Sequence, residues 1–289
     1  MLHPFDADTA VTPIGDPVPD QPGHYTATVS DRWGLLGAGG GFANGGYALA
    51  ICLRAVAAQS PHPHPVTVSA TYLSRVRFGP ADVHVEPMRS GRRLSAAQVR
   101  LVQDDKERVR VVTTFGDLAA ADGRTELRNS APALPRPDDC AGLATRETVP
   151  GFTLADRVES RYVELPGWRR GEPAGKLSDE FWMRFTPGAD GAVREPDPIS
   201  VAAMVDMATP PVIDLGERGS TTIELSVHVR GLPAPGWVAC RASTRHVIDG
   251  YHDEDFEIWD STGRLVAQSR QLALLSSPRR EGGVDPAHS

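Results

Sequence analysis

The chain has 289 residues, a net charge of −7 and hydrophobic residues at 40% of its positions, enough to bury a substantial core as one large domain or two packed ones. The negative balance is spread along the sequence, which removes the electrostatic case for nucleic acid or an anionic membrane as a partner. No run of about 18 apolar residues occurs, and the start MLHPFDADTA has neither a basic opening nor an apolar stretch, so a cytoplasmic location is expected.

Residues 1–23, rich in Pro and Asp, are expected to form an irregular lead-in. An N-terminal repeat is expected over 24–117. It begins with the alternating strand HYTATVS at 24–30, followed by a glycine run at 37–46 that opens a helix over 44–56. Strands follow at 66–78, 81–89, 93–104 and 107–116, punctuated by the turns SGRR and QDDKE, the second with paired aspartates suited to a tight reversal. Residues 118–150 lack periodicity and read as a linker. The C-terminal repeat spans 151–275, with strands at 151–165 and 179–185 before an apolar helical run over 197–213. That helix carries a clear start signal, Asp197 as N-cap with Pro198 at the first helical position. Strands are then expected at 220–230, 235–246, 251–259 and 264–275, and the tail 276–289 is expected to be disordered.

The two blocks tell the same story twice. Residues 66–115 line up with 221–272, and each is preceded by a helix-like apolar run. A helix followed by long antiparallel strands, repeated once, predicts an α+β protein with the plan of a double hotdog, two tandem repeats each wrapping a sheet around its helix. Aligning the copies places Thr222 opposite Thr67, Gln271 opposite Thr114, and Asp206 near Ile51 or Cys52. The second copy thus holds a carboxylate among Ala202, Ala203, Val205 and Met207, and a carboxamide where the first has threonine. Burying an ionised carboxylate costs several kcal/mol unless hydrogen bonds offset it, and Thr222 and Gln271 are the expected donors. Strict alternation along 221–229 puts Thr222, Glu224, Ser226 and His228 on one face and Thr221, Ile223, Leu225, Val227 and Val229 on the other.

The stretches VEPMRSGRRLSAAQVRLVQDDKERVRVVTTF, TTIELSVHV and GRLVAQSRQ, together with Asp206, carry a resemblance to the acyl-CoA thioesterase II (TesB-like) family and to thioesterase-like proteins of actinobacteria. The resemblance covers about residues 25–275. It implies hydrolysis of a fatty acyl-CoA thioester by a water held between Asp206, Thr222 and Gln271, with no covalent acyl-enzyme. The strand after Thr222 reads IELSVHVRG, where the best-known members carry aromatic and basic residues, and this departure touches acyl-chain preference more than reaction class.

Those residue types suit the chemistry. A thioester carbonyl is already electrophilic, so an enzyme must orient a water and take its proton, a task for Asp206. Thr222 and Gln271 would direct that water and keep Asp206 ionised. The glycine-rich helix entry at Asn44, Gly45 and Gly46 is expected to supply backbone donors for the oxyanion, with Trp33 beside it lining the acyl pocket. The other features point away from rival chemistries. The glycine run lacks the third glycine of a dinucleotide fingerprint, and no P-loop lysine follows it. No Gly-x-Ser-x-Gly elbow exists. Cys52, Cys140 and Cys240 are far apart and read as reduced thiols, and the histidines form no ligand pattern, so no metal and no cofactor is expected beyond the CoA of the substrate. Two readings stand beside the thioesterase: a hotdog that binds acyl-CoA without turnover, and an enoyl-CoA hydratase, which would need a histidine where this chain has Pro211. A homodimer or higher homo-oligomer is expected.

Overall fold

The computed structural model describes residues 2–37, 40–142, 151–217 and 219–276. The lead-in is irregular over 14–22 but begins with a short helix α1 (Pro4–Asp8) and a strand β1 (Val11–Pro13). Phe5 on α1 is fully buried, with its ring 4.5 Å from that of Phe185 and 5.5 Å from that of Trp33. Burial of this aromatic side chain, with Asp6 paired to Arg54 and Arg194 and Asp8 accepting from Trp33, orders a segment that has no periodic pattern.

The first half continues with β2 (Gly23–Val29), a small pair β3 (Gly34–Leu35) and β4 (Phe42–Ala43), then α2 (Gly45–Ala57) and the strands β5 (His64–Tyr72), β6 (Gly79–Ser90), β7 (Leu94–Gln103) and β8 (Lys106–Gly116). The second half has β9 (Ala141–Gly142), β10 (Val158–Tyr162), β11 (Ser178–Phe185), α3 (Pro198–Met204), β12 (Ser220–Val229), β13 (Val238–Ser243), β14 (Val247–Ile248), β15 (Tyr251–Trp259) and β16 (Leu265–Leu275). Most of the expected linker runs without regular structure, but β9 pairs with β10 and so belongs to the second half; residues 143–150 of that linker and nearly all of the expected disordered tail lie outside the described residues. The strand expected over 66–78 stops at Tyr72.

All of the antiparallel strands except β3 and β4 join one sheet in the order β1-β2-β6-β7-β8-β5-β12-β16-β15-β13-β11-β10-β9, with β14 on β15. Outward from the central β5–β12 pair, the two sides have matching orders: β8, β7, β6, β2 on one and β16, β15, β13, β11 on the other. The helices α2 and α3 pack on each other and on this sheet. α2 is apolar nearly all round, and Gly46 to Leu53 are all buried, as expected of a helix enclosed by its own sheet.

The two helices differ in length, and that difference shapes the site. The apolar run over 197–213 does not form one helix: α3 ends at Met204, and a separate 3-10 turn covers Pro211–Leu215. Pro210 has no N–H to bond the carbonyl four residues back, at Asp206, so the chain cannot continue helical there. Counting from the two N-caps, Asn44 and Asp197, Asp206 matches Leu53, which sits inside the longer α2.

Candidate active site

Asp206 lies in the turn after α3, against the N-terminus of α2. Its backbone carbonyl, orphaned by Pro210, accepts the Asn44 side-chain N–H at 2.7 Å. Its Oδ2 accepts the Gly46 backbone N–H at 2.7 Å and faces Asn44 Nδ2 at 3.4 Å. The residue from the second half is thus clamped by the helix start of the first. Glycine is required at this contact: a Cβ on Gly46 would lie 2.2 Å from the Ala203 carbonyl oxygen, and one on Gly45 would lie 2.6 Å from Asp206 Oδ2.

Thr222 reaches the same place through a β-bulge. The pairing of β12 with β16 runs Thr222↔Ala273, then Glu224↔Leu272 and Leu225↔Gln271, so Ile223 is the extra residue. The bulge turns Thr222 to the inner face with Leu225 and Gln271, correcting the strict alternation that placed it on the opposite face. β5 carries a matching bulge at Val66. Aligning the two bulges makes Pro65 the counterpart of Thr222 and Thr113 that of Gln271, in place of Thr67 and Thr114.

Three side chains converge there. Thr222 Oγ1 donates to Gln271 Oε1 at 2.7 Å and stands 3.4 Å from Asp206 Oδ1. A hydroxyl has one proton, and the shorter contact takes it. Asp206 Oδ2 is engaged by N–H groups, so Oδ1 is the oxygen left with a lone pair to accept a proton. Desolvation pushes the Asp206 carboxyl up to about 6, against the opposing pull of the Gly46 N–H. A carboxylate poised near neutrality, with one oxygen fixed and one available, has the form of a general base.

Behind Gln271 lies a residue that sequence reasoning missed. Gln271 Nε2 donates to Glu254 Oε1 at 2.9 Å, and the two residues sit opposite each other on β15 and β16. Glu254 is buried, and its Oε2 has no hydrogen-bond partner among the described residues. Desolvation pushes its carboxyl up to about 8, although the Gln271 amide favours the charged form. A signal was available: along β15, His252, Glu254, Phe256 and Ile258 share the buried face, and a glutamate in such a row is out of place.

The convergent side chains open onto a cavity of about 600 Å³, lined mainly by apolar groups that include Leu35, Phe42, Phe152, Leu154, Trp168 and Ile213. This falls within the range of small-molecule sites. Arg75 sits at the cavity with its guanidinium 4.9 Å over the Phe42 ring. Of the expected oxyanion donors, Asn44 N–H is spent on the Trp33 carbonyl at 2.8 Å and Gly46 N–H on Asp206, which leaves the Gly45 N–H. Trp33 does not line the cavity. It is fully buried, stacked 5.5 Å from Tyr47, and donates its Nε1–H to Asp8 at 2.7 Å, so its role is in the core. Trp168 is on the cavity wall. Among the described residues no helix is long and apolar enough to cross a membrane, and no group of three or more His, Cys, Asp or Glu side chains is arranged to hold a metal ion.

Comparison with known proteins gives the family. Residues 30–116 match the family described as acyl-CoA thioesterase N-terminal domain, and residues 137–275 match its acyl-CoA thioesterase C-terminal domain. An uncharacterised protein of Mycobacterium tuberculosis is 25% identical over 287 residues, covering 90% of this chain and 95% of that one. The thioesterase-like protein TwmA of Talaromyces wortmannii is also 25% identical, with 84% of this chain and 86% of that one covered. Among solved structures, a candidate thioesterase II of Thermobifida fusca aligns with a TM-score of 0.80 and 27% identity over 96% of this chain and 98% of that one. A protein of unknown function with a hot dog fold from Alicyclobacillus acidocaldarius aligns at 0.79 and 20% identity over 96% and 100%, which gives the fold.

Proposed function

The chain belongs to the acyl-CoA thioesterase family and is a thioester hydrolase of hotdog fold, and from that premise we propose that it cleaves an acyl-CoA thioester with Asp206 as general base. In this reading the two halves are tandem hotdog units, a double hotdog with boundaries near 24–117 and 151–275, and one site is built where they meet. The observation that carries it is the convergence of Asp206, Thr222 and Gln271 at the wall of an apolar cavity, with Asp206 Oδ1 left to accept a proton.

The acyl chain occupies the apolar cavity, and the thioester carbonyl carbon lies beside the three polar side chains. A water held by Asp206 Oδ1, Thr222 Oγ1 and the Gln271 amide gives one proton to Asp206 while its oxygen bonds to the carbonyl carbon. The negative charge on the former carbonyl oxygen faces the Gly45 N–H and the positive end of α2. Collapse of the tetrahedral species breaks the C–S bond, and the proton held on Asp206 returns to the departing thiolate, so acid and CoA leave and the carboxylate is regenerated. No side chain bonds covalently to the acyl group. Arg75 at the cavity is suited to the CoA phosphates. A cytoplasmic enzyme fits the three unpaired, buried cysteines, and pairing with a second copy belongs to the same reading.

The test is a thiol-release assay with acyl-CoAs from acetyl to palmitoyl. Turnover of at least one member, in preference to short acyl groups that leave the cavity unfilled, is expected. A folded protein that turns over none of the series overturns the reading.

A further inference from the structure

We propose that Glu254 is a positioning residue of the hydrolysis, one that fixes the direction of the hydrogen-bond chain ending at the water site. The proposal rests on the thioesterase reading above. The chain runs Thr222 Oγ1–H to Gln271 Oε1 at 2.7 Å, and Gln271 Nε2–H to Glu254 Oε1 at 2.9 Å. A carboxamide has a donor end and an acceptor end, and rotating it by a half turn exchanges them. With Glu254 accepting from Nε2, the carbonyl end of Gln271 must face Thr222 and draws the Thr222 proton toward itself. The lone pairs of Thr222 Oγ1 and of Asp206 Oδ1 are then both turned to the water, which can donate to each. With the amide reversed, its N–H would donate to Thr222, the threonine proton would swing to Asp206 Oδ1, and the base would be capped.

Three observations favour a functional over a structural role. Glu254 is 3% exposed and its Oε2 has no partner among the described residues, so the carboxyl is a burden on the folded state that an apolar residue would avoid. The first copy shows the apolar solution: the counterpart pair across β7 and β8 is Ala97 opposite Thr113, and the Thr113 hydroxyl simply donates to the Thr67 carbonyl at 2.8 Å. Glutamate and glutamine therefore appear together, in the copy that holds Asp206. Glu254 itself does not line the cavity, so it acts through Gln271 and not on substrate.

The experiment compares Glu254→Leu, Glu254→Gln and Gln271→Ala, with the double variant Glu254→Leu/Gln271→Ala, each by kcat, KM and thermal melting at pH 7.5. Glu254→Leu is expected to lower kcat by about 10²-fold with KM unchanged, the scale that misplacement of a catalytic group reaches, while melting no lower than wild type. Glu254→Gln keeps a carbonyl acceptor for Gln271 and is expected to stay within a few-fold of wild-type kcat. In the Gln271→Ala background, Glu254→Leu should cost nothing further, since its effect passes through the amide. Wild-type kcat in Glu254→Leu, an undiminished loss in the Gln271→Ala background, or a lower melting temperature with proportionate loss of active protein would each overturn the proposal. A readout independent of turnover separates it from the thioesterase reading: the side-chain NH2 of Gln271, followed by NMR, should be protected from solvent exchange in wild type and Glu254→Gln and unprotected in Glu254→Leu. Protection that survives in Glu254→Leu would refute the positioning role even if no acyl-CoA is turned over.

Discussion

Replacing Asp206 with Asn tests the base and the cost of holding it. The substitution keeps the side chain's size and leaves an oxygen for the Gly46 N–H bond of 2.7 Å, so the clamp on the turn survives. What disappears is the oxygen that takes the proton, and kcat should fall by about 10²–10⁴-fold, or roughly 3–5 kcal/mol of barrier. The stability of the variant moves the other way. Folding raises the Asp206 carboxyl from 3.8 to about 6, chiefly by desolvation. At about 1.36 kcal/mol per pKa unit, an ionised Asp206 costs the folded state at most about 3 kcal/mol. A raised carboxyl pKa means that the folded protein binds its proton more tightly than the unfolded chain. Wild-type stability therefore falls as pH rises from about 4 to about 6, and the cost is complete above that window. Asp206→Asn escapes it, so melting curves of the two proteins should coincide near pH 4 and separate by pH 7.5, with the variant the more stable. The same ionisation should appear in the wild-type rate as a rise in kcat/KM with an apparent pKa of about 6 and a plateau above it. A variant that keeps near wild-type turnover removes Asp206 from the mechanism, and one that is less stable than wild type at pH 7.5 refutes the burial argument.

Other substitutions separate the site from the scaffold. Gly46→Ala should destabilise by about 1–3 kcal/mol, the usual cost of overpacking, because its Cβ would meet the Ala203 carbonyl oxygen at 2.2 Å; kcat should fall with it as α2 and Asp206 move apart, and both are read by melting and thiol release. Trp33→Phe breaks the 2.7 Å bond to Asp8 and should lower stability by about 1–3 kcal/mol while leaving KM for acyl-CoA unchanged. A raised KM would return Trp33 to the acyl pocket. Phe5→Ala should cost about 3–5 kcal/mol in denaturant unfolding, and a neutral result would restore the irregular lead-in.

What the sequence made legible follows from which signals are periodic. The repeated helix-and-strand plan could be read because alternation and the Asp197–Pro198 start signal are local. Asp206 and Gln271 stood out because an internal copy lacks them. The bulge at Ile223 could not be read that way, since one extra residue leaves the apolar pattern almost intact while reversing the face of Thr222. α1 escaped notice because its order depends on Phe5 meeting Phe185, far along the chain, and five residues are too few to show a period. The early stop of α3 was written in Pro210 and Pro211, but an apolar composition on both sides outweighed them. Glu254 was hidden because its partner, Gln271, sits across a hairpin and not beside it.

The clamp between Asp206 and the start of α2 has a consequence for stoichiometry. A pair of identical folding units related by a two-fold axis could form two such seats, one at each helix start. In this chain the mirror seat is closed: Pro198 and Ile199 stand where Gly45 and Gly46 would be, and Leu53, Pro65 and Thr113 replace the three polar groups. Pro198 has no N–H to offer an oxyanion. The first half supplies the helix start and the second the carboxylate, so a single seat is assembled from both. Equilibrium binding of a non-hydrolysable acyl-CoA analogue should therefore saturate at one per chain, and neither half expressed separately would contain a complete set of groups for the reaction.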